Sequence, residues 1–250
     1  MKATKQVPAA RRSVGRPRKT AASAGESLGR DQILRIALDL IDENGLATFN
    51  IRTLATRLGV FPSAIYWHVP SRDELVSGTV ALALDGVGAG LPEGSWQVRL
   101  AALLRNFRAA LRAHPHLAPA VASELAYNAV FDAELLDRLV EILEDARFEG
   151  NDLVDSFNAA VAAMCGFATL ELSTPPDGPS QEWEQACRER IDAIEPAQHP
   201  HLARYRKKLQ NRAFLLRWSG GKEKPLDSGF EAWIDVFIRG LESRSRALRR

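Results

Sequence analysis

The most informative part of the chain is residues 50–69, which read NIRTLATRLGVFPSAIYWHV. Apolar residues recur here at helical spacing, Asn50 is a favourable helix N-cap, and Gly59 interrupts the helical pattern. Pro62 suits the first position of a second helix, which Pro70 ends. The stretch therefore predicts two short helices, joined by a tight turn that contains glycine.

One longer helix is predicted on each side of this pair. Before it, apolar residues at i, i+3, i+4, i+7 and i+8 from Ile33 predict an amphipathic helix that Gly45 ends. After it, Ser71-Arg72-Asp73-Glu74 has the pattern of a capping box, with reciprocal bonds between side chains and backbone N–H groups. A helix is expected to follow the box into the glycine-rich residues 85–94. Two short helices supported by a longer one form a helix-turn-helix.

The second short helix would be the recognition helix, which lies in the DNA major groove with its N-terminal residues on base edges. Ile65 and Val69 share one face of it and are expected to pack inward. Serine can hydrogen-bond a base or a phosphate, alanine can contact a thymine methyl group, and ring side chains can pack along the DNA backbone. The pattern alone also permits Tyr66-Trp67 to be part of the core. The side chains left for DNA are Ser63, Ala64, Tyr66, Trp67 and His68.

The residues from Ile33 to Glu74 resemble the DNA-binding domain of the tetracycline-repressor (TetR) family. The Tyr-Trp-His-Val run is especially similar to the tetracycline repressors themselves. The resemblance implies a sequence-specific DNA-binding transcriptional regulator that acts as a repressor. It rests on Ile33-Leu34-x-x-Ala37-Leu38, Glu43-Asn44-Gly45, Arg52-Thr53-Leu54-Ala55-x-x-Leu58-Gly59-Val60, Tyr66-Trp67-His68-Val69 and the acidic capping box.

The same resemblance implies which side chains meet DNA. Arg52 matches a base-contacting arginine that can fork onto guanine. Arg72 matches a basic residue that holds a phosphate at the N-terminus of the fourth helix. Asn50 and Ile51 match positions near phosphate. The DNA-binding residues expected in this region are Asn50, Arg52, Thr53, Phe61, Pro62, Ser63, Ala64, Tyr66, Trp67, His68 and Arg72.

Phe61 departs from the family pattern, in which many members have a polar residue at this position. Phenylalanine has no side-chain acceptor with which to cap a helix. Its ring is left with two possible roles, which are contact with thymine methyl groups or packing on the domain itself.

Charge is distributed unevenly along the 250 residues. The net charge is +2, but residues 1–30 hold eight basic side chains and one acidic one, whereas the rest of the chain holds 25 basic and 30 acidic ones. Residues 1–27 lack a helical or strand period and are expected to form a disordered basic arm. The arm contains Gly15-Arg16-Pro17-Arg18-Lys19, which resembles an AT-hook core. Arg16 and Arg18 are therefore expected in an adjacent minor groove, with non-specific attraction to phosphates as the alternative.

The rest of the chain predicts more helices and no persistent β alternation, so the expected fold class is all-α. A helix-turn-helix domain is expected over residues 28–88, and the family resemblance implies a ligand-binding and dimerisation domain over residues 89–250. A weaker resemblance to tetracycline-repressor-like regulatory domains rests on Pro92–Trp96, Arg112–Pro115, Phe157–Leu170 and Phe230–Glu242.

The resemblance implies a homodimer held by a four-helix bundle, with two late helices from each subunit. Such a dimer would present two recognition helices to half-sites about 34–36 Å apart or a multiple of it. The alternative is that both helices belong to the core of one chain. The expected interface residues are Ala159, Ala163, Gly166, Phe230, Ile234, Phe237, Ile238 and Leu241.

The resemblance also implies a largely apolar pocket for a small-molecule effector. Each candidate for its wall is equally compatible with plain core. The candidates are Leu103, Phe107, Leu111, Leu117, Val121, Tyr127, Met164, Phe167 and Trp183.

Composition and motifs argue against other classes of protein. An apolar fraction of 46% argues against wholesale disorder, and no apolar run approaches the roughly 20 residues that span a bilayer. The first residues lack the apolar stretch of a signal peptide, so a cytoplasmic protein is expected. An architectural protein that binds DNA non-specifically through the arm is the main alternative.

The sequence offers no nucleophile–histidine–acid set and no phosphate loop, so neither an enzyme nor a cofactor is expected. His114-Pro115-His116 is interpreted as a helix end and loop, rather than as a site for magnesium-chelated tetracycline, and no metal is predicted. Cys165 and Cys187 are expected to be reduced thiols.

Overall fold

The computed structural model describes residues 28–126, 132–172, 180–217 and 226–248. These residues form eleven α-helices and contain no strand, so the all-α prediction is confirmed. A 3₁₀ turn at Pro115–Leu117 follows the fifth helix. The helices are α1 Arg30–Asn44, α2 Ile51–Leu58, α3 Pro62–His68, α4 Arg72–Leu84, α5 Trp96–Ala113, α6 Ala118–Ala126, α7 Ala133–Asp145, α8 Gly150–Leu172, α9 Gln181–Asp192, α10 Pro200–Leu209 and α11 Asp227–Ala247.

Local sequence signals set the ends of the first helices. The Asn50 side chain accepts a hydrogen bond from the Thr53 backbone N–H at 3.0 Å and so caps α2, as predicted. Gly59 ends α2 with a φ of +67°, a left-handed conformation that glycine adopts without a steric penalty. The Ser71 hydroxyl accepts from the Glu74 N–H at 3.0 Å, which is the first half of the predicted capping box. α4 then ends at Leu84, before the glycine-rich residues.

The four helices α1–α4 share one core. Ile33 and Ile41 of α1, Leu54 of α2, Ile65 of α3 and Leu75 of α4 are completely buried. α1 packs against α2 and α4, and α2 packs against α3. The apolar stripe predicted from Ile33 onward therefore holds the two short helices in place.

Contacts between α1–α4 and the later helices connect the two parts of the chain. α4 packs against α5 and α6, and the 3₁₀ turn packs against α1. His114 is the C-cap residue of α5, and its Nδ1 atom lies 2.7 Å from Asp42 Oδ2. The Nδ1 atom of His116 lies 3.0 Å from the Ile41 carbonyl oxygen. The prediction of a helix end and loop at these histidines is confirmed. Ser77 of α4 adds a hydrogen bond to Glu124 of α6 at 2.6 Å.

α8 is the central helix of the C-terminal part and packs against α5, α6 and α7. Its 23 residues, with a mean hydropathy of 1.5 over 18 of them, are long and apolar enough to cross a membrane by length and composition. The sequence expectation concerned uninterrupted apolar runs, and polar residues interrupt α8, so its mean hydropathy comes from many alanines and large apolar side chains rather than from one long apolar run. Only 33% of those 18 residues are buried inside the protomer, so α8 presents an apolar face to its surroundings.

Candidate nucleic-acid interface and regulatory core

α3 is a short helix whose two faces differ sharply. Ile65 and Val69 are completely buried, which confirms the predicted inward face. Phe61, Tyr66 and Trp67 are 79%, 46% and 85% exposed. The structure therefore excludes a core role for Tyr66-Trp67. Three large ring side chains are thus exposed within seven residues of sequence, which makes this segment a candidate interaction surface.

The other predicted residues of α3 complete this surface. Ser63 is exposed, whereas Pro62, Ala64 and His68 are half-buried. Phe61 is the N-cap residue of α3 and forms no side-chain capping bond, because its ring has no hydrogen-bond acceptor. The recognition surface of α3 thus combines hydroxyl groups and ring N–H donors with apolar rings.

Arg52 and Arg57 both lie on α2, but their surroundings differ. Arg57 binds Glu43 through two hydrogen bonds, of 2.7 and 3.3 Å. Arg52 is exposed, and its guanidinium has no partner among the residues that the structure describes. An exposed guanidinium with all five donors free is suited to bind a base or a phosphate of another molecule.

Asn50 and Thr53 are used within the protein. The Asn50 Oδ1 accepts from both the N–H and the hydroxyl of Thr53, at 3.0 and 3.1 Å, and its Nδ2 donates to the Thr48 carbonyl. These bonds fix the first turn of α2, from which Arg52 extends. Arg72 is exposed and donates to the Leu46 carbonyl at 3.3 Å, so it lies near the loop that precedes α2. Arg16 and Arg18 of the arm lie outside the described residues.

Seven of the nine predicted ligand-binding side chains are packed in the hydrophobic core. Trp183 is half-buried on α9, and Tyr127 lies outside the described residues. A buried side chain can line a ligand pocket or can simply pack in the hydrophobic core. The ligand contacts of these residues therefore stay a prediction. The seven are Leu103, Phe107, Leu111, Leu117, Val121, Met164 and Phe167.

A buried ion pair that was not predicted from the sequence crosses this core. Arg108 of α5 donates two hydrogen bonds to Glu171 of α8, at 2.7 and 2.6 Å, with side-chain exposures of 9% and 3%. Arg108 also reaches Asp227 at 2.9 Å, and the Leu226 N–H donates to Glu171 at 2.8 Å. The pair therefore joins α5, α8 and the start of α11. The signal available in the sequence was one charged residue within each of two otherwise apolar helical stripes.

Aromatic rings surround the pair. The Phe230 ring lies 4.4 Å from the Arg108 guanidinium carbon, within range of a cation–π contact. Phe167 meets Phe214 and Phe230 edge to face, with centroids 4.9 and 5.1 Å apart, and Trp233 stacks on Phe230. The core of the C-terminal part is thus rich in rings and contains a fixed charge pair.

This environment shifts the pKa values of the pair apart. Burial acts to raise the pKa of Glu171, but hydrogen bonds from Arg108 and the Leu226 N–H outweigh it and leave that pKa below its ordinary value. The hydrogen bonds that Arg108 donates to Glu171 raise the pKa of Arg108. Burial also raises the pKa of the Cys165 thiol, and neither Cys165 nor Cys187 forms a disulfide. No group of three or more metal-ligating side chains occurs in the described part of the chain.

Comparison with known proteins adds to this geometry. Residues 33–78 match the model of the tetR family of bacterial regulatory proteins, and residues 89–244 match the tetracyclin repressor-like C-terminal domain. The second match alone covers more than half of the chain. The protein belongs to the TetR family.

The relatives of this TetR-family protein fall into two groups. A tetracycline repressor protein of class C from Escherichia coli is 26% identical over 218 residues, which cover 86% of this chain and 91% of the relative. An HTH-type transcriptional regulator from Saccharopolyspora erythraea is 30% identical over 89 residues, and the match spans 35% of this chain and only 38% of that regulator. A solved structure, a possible TetR family transcriptional regulator from Streptomyces coelicolor A3(2), has a TM-score of 0.66 and 25% identity. The structural match covers 86% of this chain and 98% of the Streptomyces coelicolor chain.

The structure corrects the dimer face expected for this TetR-family chain. Phe230, Ile234 and Leu241 are at most 5% exposed, so these residues are not available to a partner subunit. Their stripe on α11 faces the core of the protomer, where α11 packs on α5. Phe237, Ile238 and Ala163 are half-buried, and Ala159 and Gly166 are exposed on α8.

The exposed face of α11 lies on the opposite side of the helix. Ala232, Val236 and Gly240 follow one another at intervals of four residues and are exposed, with Val236 at 70%. On α8, the exposed residues include Ala162, Gly166 and Leu170. Small and apolar side chains on both helices permit close approach of a second helix pair.

Proposed function

We propose that this protein is a homodimeric, sequence-specific DNA-binding regulator that represses transcription and leaves a palindromic operator when a small-molecule effector binds. The observation that carries the proposal is the exposed surface of α3. Tyr66 and Trp67 face solvent on a helix that is held in place by Ile65 and Val69. Its apolar rings and donors suit the base edges and the sugar-phosphate backbone of a major groove.

In this proposal, residues of α2 and α4 contact different parts of the DNA. Arg52, which has no partner among the described residues, contacts guanine, and Arg72 holds a phosphate near the N-terminus of α4. Asn50 and Thr53 act through the cap that fixes α2, since their side chains bond one another. Residues 31–80 hold four arginines against six acidic residues, so affinity depends on placed side chains rather than on bulk charge.

Residues 28–88 would bind DNA, and residues 89–250 would bind the effector and form the dimer. The dimer interface would use the exposed faces of α8 and α11, with Ala159, Gly166 and Val236 near its centre. A two-fold dimer explains why an apolar helix of this length remains two-thirds unburied in the protomer.

The effector would bind in the ring-rich core of the C-terminal part. It would prefer a conformation in which the two recognition helices are wrongly spaced for the operator, and so shift the population away from DNA. The contacts of His114 with Asp42 and of Ser77 with Glu124 connect that core to α1 and α4. A change in the later helices therefore reaches the recognition helix through packed elements.

The test is selection of bound duplexes from random sequence with the full chain, followed by footprinting. We expect a near-palindromic site with two half-sites separated by about one helical turn or a multiple of it. A ratio of specific to non-specific affinity near one would instead favour an architectural protein.

Deletion of residues 1–27 is expected to lower affinity for DNA and to reduce the dependence of binding on salt. An unchanged salt dependence would remove the basic arm from the mechanism.

The dimer is tested by Val236→Asp, which places a charge on the exposed face of α11. We expect this variant to sediment as a monomer and to lose operator binding. Val98→Asp on α5 is the matched control, because Val98 is 48% exposed but lies on a different helix. If both variants stay dimeric, the interface lies elsewhere.

A further inference from the structure

We infer that Phe61 selects thymine in the operator by contact with the thymine methyl group. The inference rests on the proposed function and goes beyond it, because it names the base that one residue recognises and the chemical group by which it does so.

The structure fixes the position of Phe61 through its backbone. It is the N-cap residue of α3, with φ −80° and ψ 147°, and its carbonyl accepts from the Ala64 N–H at 2.9 Å. The N-terminal end of a recognition helix is the part that meets base edges. Phe61 therefore stands where sequence is recognised.

The ring of Phe61 is not part of the core. It is 79% exposed, which excludes packing on the domain as the role of this side chain. In the free protein the residue brings a double cost, because the ring remains in water and the helix lacks the capping acceptor that Ser, Asp or Asn would supply. Burial of the ring against DNA removes the first of these costs, whereas the missing side-chain cap of α3 remains.

The chemistry of the ring determines which DNA group it can recognise. Phenylalanine has no hydrogen-bond donor or acceptor, so it does not recognise the polar edges of the bases. In the major groove the thymine C5-methyl is the distinctive apolar group. The contact therefore favours thymine over cytosine. It would accept 5-methylcytosine for the same reason, since that base carries a methyl group at the same position.

The experiment replaces each thymine of the selected operator by uracil, one position at a time, and measures affinity with the full chain. Uracil keeps every hydrogen-bonding group of thymine and lacks only the methyl. We expect a thymine in each half-site at which uracil weakens binding by about fourfold, the equivalent of one buried methylene group. A thymine that Ala64 contacts would also respond to uracil, so the thymine assigned to Phe61 is the one whose uracil effect is lost in Phe61→Ser, and thymines whose effect persists in that variant provide the internal control.

Two variants link the effect to Phe61. Phe61→Ser is expected to bind the thymine and uracil duplexes equally, whereas Phe61→Leu, which keeps an apolar side chain, should retain part of the difference. Serine is a better N-cap than phenylalanine, so a loss of discrimination in Phe61→Ser cannot be ascribed to a weaker α3.

The outcomes separate this inference from the function on which it rests. If no preferred sequence emerges from the selection, both fail. If a preferred operator emerges but uracil is tolerated at every position, the inference alone is overturned. It is also overturned if Phe61→Ser binds less tightly but keeps the full preference for thymine over uracil, because the ring would then contact the sugar-phosphate backbone without recognising a base.

Discussion

Arg52 and Arg108 occupy opposite environments within one chain. Arg52 lies exposed on α2, with no partner among the described residues, and the neighbouring α3 and its N-cap residue expose three aromatic rings. Arg108 is 9% exposed, binds Glu171 through two hydrogen bonds, contacts Asp227 and lies against the ring of Phe230. One guanidinium is kept free for another molecule, and the other is fully used inside the protein.

The rings show the same division. Trp67 is 85% exposed on α3, whereas Trp233 stacks between Phe230 and Phe237 on α11. Side chains of one chemical type therefore serve recognition in one region and structure in the other. The difference predicts that mutations in the C-terminal core will lower stability, whereas mutations on the surface of α2 and α3 will lower affinity for DNA.

The largest effect is expected from Arg108→Ala. This change leaves Glu171 charged and buried without its main partner, so the free energy of unfolding should fall by about 3–5 kcal/mol. Urea denaturation measures it. The matched control is Arg105→Ala on the same helix, where Arg105 and Glu231 form a pair at 2.5 Å with half of each side chain exposed. We expect the control to lose at most about 1 kcal/mol. Equal losses would contradict the distinction between a buried and a solvated pair.

A second prediction separates the two faces of α3. Ile65→Ala removes a completely buried side chain and should cost about 2–5 kcal/mol of stability, with loss of DNA binding as a consequence. Trp67→Ala should leave stability within about 0.5 kcal/mol and still weaken DNA binding. Thermal unfolding and operator titration of both variants provide the measurement. A strongly destabilised Trp67→Ala would mean that the exposed face is structural after all.

Arg52→Ala should cost about 1–3 kcal/mol of DNA affinity and relax the preference at one operator position. Footprinting and repeated selection with the variant measure both effects. Arg57→Ala is the control on the same helix, since Arg57 is paired with Glu43. Sequence preference that survives intact in Arg52→Ala would remove this residue from base recognition.

The smallest effect concerns pH. Because the pKa of Glu171 is lowered in the folded protein, its ionised form contributes stability above its unfolded pKa of about 4.3, and this contribution is lost as pH falls through the folded value. The free energy of unfolding should therefore decrease from about pH 6 to about pH 3, and less steeply in Glu171→Gln. An equal slope in wild type and variant would show that other carboxyl groups account for the acid sensitivity.

Sequence reasoning located the elements of the helix-turn-helix because the signals there are local. Asn50 caps α2, Gly59 supplies a left-handed turn, and Pro62 begins α3, each within a few residues of the feature that it sets. The inward direction of Ile65 follows from helical periodicity alone. The same reasoning failed at α11, where the apolar stripe of Phe230, Ile234 and Leu241 was expected at a dimer interface.

That failure has a general cause. A periodic apolar stripe shows that a helix buries one face but not against which partner, because core and interface have the same composition. The pair of Arg108 and Glu171 escaped detection for a related reason. The two residues are 63 positions apart, and nothing local indicates that α5 and α8 bring them together.

The sequence by itself determined the helical class, the ends of α2 and α3, the inward face of the recognition helix, and the family resemblance, since all of these depend on neighbours along the chain. Tertiary structure alone decided that Phe61 is exposed, that Arg108 is paired, and that Val236 rather than Ile234 is on the outer face of α11. These facts depend on how distant helices pack, and that packing depends on contacts between residues far apart in sequence.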